Sequence, residues 1–446
     1  MDKNRKDGMY LLVIGALVFV FLGSFLGIAM DWSMADFKQL YYAARCLREH
    51  SDPYNESAVL ATYRRAGVDR IEGITVANVM VIRNMYPPLQ FLFTFPFGWM
   101  SFGSARSLWL ALTLGSLLLG SFLIWNTSSQ FAPIVSGALI GFMLANSETL
   151  VGLGNAAGIA IGLCVVAAWC FLSGRYWVIG VFCLAFSLML KPQDAAFVLL
   201  FFLLAGGIHR KRAIQSIAVA VAFGLPVVLW ITSILPRWPK ELAANLTYLT
   251  ARGGICDPGP TSILWPTAMV NLQTIISLFD NDPRIYNLVA YALCSALILP
   301  LAYTTIRSKL SIQSMWIALA AISAITLLID YHRRNDTKLL LLSVPACVML
   351  FSQRGRKGRL ALALTSAAFF FTGDIPWMMG IEFLNSLQVH HKFLASHLQI
   401  PICVLPAPLS LSAVGIFYVW IFMRTEAVPN PKPSDPLPEG VSTARK

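Results

Sequence analysis

Apolar stretches of roughly twenty residues, the length that carries a helix through a bilayer, recur along almost the whole chain. They leave little choice of fold. In hydrocarbon each backbone N–H and C=O must be paired within the protein, and a helix pairs them within its own segment. The expectation is an all-α polytopic membrane protein. Composition agrees: of 446 residues, 57% are hydrophobic and only 13% are charged. Mean hydropathy is +0.66. The net charge of +12 could suggest a nucleic-acid partner. Lys and Arg, however, fall in short clusters between apolar runs, as topology and anionic membrane lipids require. No nucleic-acid-binding motif is present.

Residues 1–8 form a short basic lead. Met9–Met30 is long enough to span and has no small-residue cleavage site, so it reads as a retained first helix. A single membrane-embedded domain, residues 9–423, follows, with polar external loops at 31–86 and 236–284. The tail 424–446 is polar and Pro-rich and reads as disordered and cytoplasmic. Lys3, Arg5 and Lys6 place the N-terminus in the cytoplasm, together with the basic clusters at 209–212, 307–309 and 354–359. About thirteen apolar runs can be counted, yet two cytoplasmic termini need an even number of crossings. Phe131–Leu150 is taken as the half-entering run, because its polar end, with Asn146 and Glu148, leads straight into Gly154-Asn155. About twelve spans remain, set in an inner or plasma membrane. The eight cysteines are scattered, with no CxxC or metal-ligand spacing. Only Cys46 and Cys256 fall in external segments, and nothing in their spacing pairs them.

One polar stretch stands apart, Met30–Tyr54. Read as a helix, it puts Phe37, Leu40, Tyr41, Ala44 and Leu47 on one face, the pattern of a helix lying along a membrane surface. Asp36 sits in its first turn. Ser33-x-x-Asp36 is also close to a capping box, and an acid there suits the helix dipole. Tyr41 and Tyr42 read as interface anchors. The inferred topology gathers polar residues on the side facing the periplasm or exterior: Asp31, Asp36, Tyr86, Asn155, Lys191, Gln193, Asp194, Arg252, Asp257, His332, Arg333, Arg334 and Asp336. The middles of the apolar runs are nearly free of ionisable groups. A transporter keeps charges near the midplane, whereas an enzyme acting on a lipid headgroup keeps them at one boundary.

A sugar carried on a lipid phosphate suits such a rim. Its leaving group departs without protonation, so transfer with inversion needs one carboxylate to deprotonate the acceptor hydroxyl. It also needs cations and donors to hold the phosphate. Asp36 is the best-placed acid, with Asp31 its competitor at the membrane exit. Lys191, Arg252, His332, Arg333 and Arg334 are the external cations. Arg252-Gly253-Gly254 also reads as a phosphate loop, or simply as a turn.

Asp36-Phe37 with Tyr41-Tyr42-Ala43-Ala44 and Asp52-Pro53-Tyr54 resembles the opening motif of the glycosyltransferase 87 family (DUF2029). These are GT-C class membrane enzymes that use polyprenyl-phosphate sugars and include mannosyltransferases. Tyr86-Pro87-Pro88-Leu89, Leu190-Lys191-Pro192, and Asp330-Tyr331-His332 with Asp336 resemble later motifs of that family, in the same order. Gly154-Asn155 stands where the family has Gly-Gln, a departure that weakens a donor contact at that position. The resemblance implies a GT-C-type fold, with a polyprenyl-phosphate-linked donor sugar, mannose by analogy, and a lipid or glycan acceptor. It implies Asp36 as the base. Lys191, His332, Arg333, Arg334, Arg252, Asn155, Gln193, Tyr86 and Asp336 would then bind donor phosphate or substrate. No cofactor or metal is required, because the cations can carry the negative charge. The rival reading is a lipid or glycan transporter or flippase.

Overall fold

The structure is a computed structural model that describes residues 3–29, 33–66, 81–262 and 268–426. Asp31, residues 67–80 and 263–267 within the two stretches expected to be external, and the tail 427–446 lie outside the described residues. Among the described residues the chain is helical, with one isolated antiparallel bridge, Met269 to Arg333. Seven helices are long and apolar enough to cross a membrane. The pair Arg356–Thr372 and Asp374–Val389, bent by 56°, adds an eighth if counted as one span. Four apolar helices are shorter: Pro133–Ala145, Ala157–Ser173, Trp177–Leu190 and Pro192–Ala205. The protein is therefore an all-helical polytopic membrane protein.

The outer surface of the helices is apolar. On Lys3–Ala29, Tyr10, Leu17, Phe21 and Ile28 are exposed, as lipid-facing residues are. The opposite side carries Gly8, Gly15, Gly23 and Gly27, all buried. A Cβ added at Gly15 would lie 2.1 Å from the Gly141 carbonyl oxygen, and one at Gly137 would lie 1.9 Å from that of Gly8. The first helix and Pro133–Ala145 thus meet backbone to backbone. Small residues allow this approach, and dispersion contacts drive it where no hydrophobic effect separates helix from lipid.

Ile312–Ile329 is the core element. Its side chains are buried almost throughout. Pro406–Glu426, Pro192–Ala205 and Pro283–Arg307 pack around it, as does the tight helix Arg334–Ser343 that follows it in the chain. This arrangement fixes two segments of the site. Lys191 lies just before Pro192–Ala205. His332 lies just after Ile312–Ile329.

The stretch that sequence places along a membrane surface does form a helix, Ala35–Arg48, but it is buried on more than one face. Gln39, Tyr41, Tyr42 and Ala43 are as inaccessible as Phe37 and Leu40. The segment Phe95–Trp99, the helix Glu56–Arg65 and the start of Phe102–Ser128 wrap it. The Phe37 ring stacks on Trp109 at 4.8 Å, and the Tyr41 hydroxyl donates to the Met100 carbonyl at 2.9 Å. Tyr41 and Tyr42 are core residues, not interface anchors. Amphipathicity in the sequence showed one apolar face. It gave no sign that the chain's own aromatic loop covers the other.

Candidate functional site

Pro192 creates the centre of the site. A residue before proline is pushed out of the helical region, and Lys191 takes φ −151° and ψ 82°. Trp177–Leu190 stops there and Pro192–Ala205 begins, so the lysine projects from a break between two apolar helices. Broken helices of this kind place polar groups inside a membrane protein without exposing backbone to lipid. The Lys191 ammonium forms an ion pair with Asp336 and lies 3.6 Å from Asp194.

His332 completes the cluster. Its Nδ1 is 3.0 Å from Asp336 Oδ2 and 3.4 Å from Asp194 Oδ1. One ring nitrogen can donate one hydrogen, so the nearer carboxylate takes it. That bond orients the ring and leaves Nε2 for another partner. Asp336 Oδ2 also accepts from the Arg333 backbone N–H at 3.1 Å, which caps the Arg334–Ser343 turn. The carbonyl of His332 accepts from Val270 N–H at 3.1 Å. Lys191, Asp194, His332 and Asp336 are all buried. Buried charges need partners, and here two carboxylates face an ammonium and an imidazole. The oxygens of Asp194 take part in the ion pairs but in no hydrogen bond.

Asp36 lies beside this cluster, 4% exposed. Its helix is capped not by Ser33 but by Met34, in the left-handed region at φ 58°, with no side-chain capping bond. Asp36 Oδ2 instead accepts from the Asn155 amide at 2.6 Å, and Oδ1 accepts nothing among the described residues. Burial raises the Asp36 pKa. The charge of Arg333, the Asn155 bond and the charge of Lys191 pull the other way, and Asp336 adds to the rise. The Tyr86 phenol, half-buried nearby, is raised by burial and by the charges of Asp36, Asp336 and Asp194, with Lys191 opposing. Asp36, Lys191, Asp336 and Tyr86 therefore share one electrostatic neighbourhood.

The loop that holds Asp36 is moulded to it. Gly154 is left-handed at φ 64°. A Cβ there would fall 2.7 Å from Phe37 Cβ. The Gly154 carbonyl accepts from the Trp109 indole at 2.8 Å, and Gly152 accepts from Met34 N–H at 2.7 Å. Asn155 Oδ1 accepts from Ala157 N–H at 2.9 Å, so this side chain starts one helix while it positions the acid of another. We predict that Gly154→Ala, which adds about 1–2 kcal/mol of left-handed strain on top of the clash, lowers the melting temperature. Thermal unfolding of the purified variant checks this.

The other expected residues separate into two groups. The Arg333 guanidinium donates to the Ile255 carbonyl at 2.8 Å, and its charge acts on Asp36. Arg334 points elsewhere, donating to the Phe371 carbonyl at 2.6 Å and lying over the Trp377 ring. Arg252 is exposed and bonded to the Asn281 carbonyl, away from the cluster. Gln193 is half-buried with no hydrogen bond to the cluster. Asp194 is the residue the sequence reading missed among the site candidates. The signal was available, since residues three apart share a helix face and adjacent ones do not. Pro192-Gln193-Asp194 returns Asp194, not Gln193, to the side of Lys191.

Asp194, His332 and Asp336 each offer a metal-ligand atom, all within 4.8 Å of one another. Such a set could hold a divalent cation, but the Lys191 ammonium lies against both carboxylates and supplies their countercharge. No protein-family model, curated protein or solved structure matches the chain.

Proposed function

We propose that this protein is a GT-C-type glycosyltransferase that moves a sugar, mannose by analogy, from a polyprenyl phosphate to a hydroxyl of a lipid or glycan acceptor. The reading rests on the short motifs that resemble the glycosyltransferase 87 family. The observation that carries it is the meeting of those motifs: Lys191, His332 and Asp336 form one buried ion cluster, and Asp36, held by Asn155, lies within its electrostatic reach. Seven helices, or eight with the bent pair counted once, are long and apolar enough to cross a membrane; about twelve spans with the site toward the exterior belong to this proposal.

In the proposed reaction Asp36 Oδ1 takes the proton of the acceptor hydroxyl. The freed oxygen attacks the anomeric carbon from the face opposite the phosphate. The bond from that carbon to the phosphate oxygen breaks, and the lipid phosphate leaves with the electron pair. Lys191 and Arg333 hold it as its charge grows, joined by His332 Nε2–H when the ring carries both protons. Asp194 and Asp336 orient that cationic group.

Purified protein incubated with labelled polyprenyl-phosphate mannose and extracted lipids should yield a labelled glycolipid or glycan. If none of a panel of polyprenyl-phosphate sugars gave product, while labelled lipid crossed proteoliposome membranes unchanged, the transporter reading would replace this one. Transfer should survive EDTA, because Lys191 stands where a cation would. The acid limb of the pH profile should lie above the ordinary carboxylate range, since burial raises Asp36 and the base must be ionised to act. Arg333→Gln removes the largest influence that lowers this pKa, so its limb should move to still higher pH.

A further inference from the structure

A second polar cluster lies beyond the site, around a cavity of about 240 Å³ bordered by Thr149, Arg333, Arg334, Asn335, Asp374 and Trp377. We propose that this cavity binds a sugar ring, an inference that rests on the glycosyl-transfer reading and deepens it. Asp374 is fully buried. Its Oδ2 accepts from Thr149 N–H at 2.9 Å and from the Thr149 hydroxyl at 2.7 Å. Among the described residues its Oδ1 accepts nothing, and the Trp377 indole N–H, also shielded from solvent, donates to nothing. Native proteins seldom leave such groups unmet, and each one calls for a partner.

The two orphans identify that partner by its chemistry. A hydroxyl both donates and accepts, so neighbouring hydroxyls can meet a carboxylate oxygen and an indole N–H together. A phosphodiester brings only acceptors and would confront the Asp374 carboxylate. An ammonium brings only donors and leaves the indole unmet. A hydrocarbon chain meets neither. The volume fits one small ring, below the roughly 300–1,000 Å³ of clefts that take drug-sized ligands. The position fits as well. Arg333, which borders the cavity, acts electrostatically on Asp36. Leu153, another wall, is two residues from the Asn155 that holds Asp36. Trp377 and Met378 also wall a larger cavity of about 630 Å³, lined by Glu382, Asn385, Gln388 and Ser396, where further sugar units would extend.

Saturation-transfer NMR on the full-length protein in lipid nanodiscs tests this, with methyl α-mannoside, α-glucoside and α-galactoside, each alone and against excess inorganic phosphate. At least one glycoside should receive saturation, and excess phosphate should leave its signal unchanged. The signal should fall roughly fivefold, the change one lost hydrogen bond implies, in Trp377→Phe, which keeps an aromatic ring and removes the donor. Asp374→Ala should lose it too, and Asp36→Asn should keep it. Displacement of the glycoside by polyprenyl-phosphate mannose alone would assign the cavity to the donor sugar. Displacement by neither lipid would assign it to an acceptor sugar. Displacement by bare polyprenyl phosphate, an unchanged signal in Trp377→Phe, or no glycoside signal with wild type overturns the proposal. Glycoside binding that persists in a protein with no transferase activity would sink the enzymatic reading and leave this one standing.

Discussion

Asp36→Asn is expected to cut sugar transfer by about 10²–10⁴-fold, the range of a general base, without destabilising the protein. The amide is isosteric, and its oxygen still accepts from Asn155. What it lacks is the lone pair that removes the acceptor proton. The stability half of the prediction separates this role from helix capping. Met34 caps the helix without a side-chain bond, so no cap is lost. Burial raises the Asp36 pKa, so the folded state holds the proton more tightly than the unfolded state. The stabilisation from that proton is complete below the unfolded pKa and is lost as pH rises through the folded one. At neutral pH the ionised group is thus a burden, and neutral Asn should hold or raise the melting temperature. Product formation and thermal unfolding of the same preparation test both halves. A lower melting temperature with transfer intact would return Asp36 to a structural role.

How much of this was legible beforehand differs by residue. Apolar run length gave the helical membrane class, because hydrocarbon allows little else. The sequence also singled out Lys191, as an external cation and through the Leu190-Lys191-Pro192 resemblance, but not the break between helices from which it projects. It misjudged the 35–48 helix, because periodicity reports which face is apolar and not what covers the polar one. The aromatic cover comes from Phe95–Trp99 and Phe102, half a hundred residues on. Arg333 and Arg334 looked equivalent, yet the charge of one acts on Asp36 while the other lies over the Trp377 ring. The Asp374 cluster was hidden. It depends on a bend at Gly373 inside what reads as one apolar run, and on Thr149 reaching across from the end of another.

The ion cluster gives the second large effect, and the double variant decides what the cluster is for. Asp336→Leu leaves the Lys191 ammonium and His332 with Asp194 alone, and Asp194 already lacks hydrogen bonds among the described residues. Removing one partner of a buried pair costs about 3–5 kcal/mol, so this variant should melt far below wild type or fail to fold. Lys191→Met strands two carboxylates and should be damaged similarly. Combined, Lys191→Met with Asp336→Leu removes both charges, and buried pairs replaced by apolar residues are often neutral or better. The double variant keeps the buried Asp194 beside His332 alone, so it should recover part of the lost stability. A purely structural cluster would then recover transfer as well. If Lys191 holds the departing phosphate, the recovered protein stays inactive and binds polyprenyl phosphate weakly. Stability and activity measured on the four proteins of this cycle decide between the two roles, because only a functional lysine makes them part company.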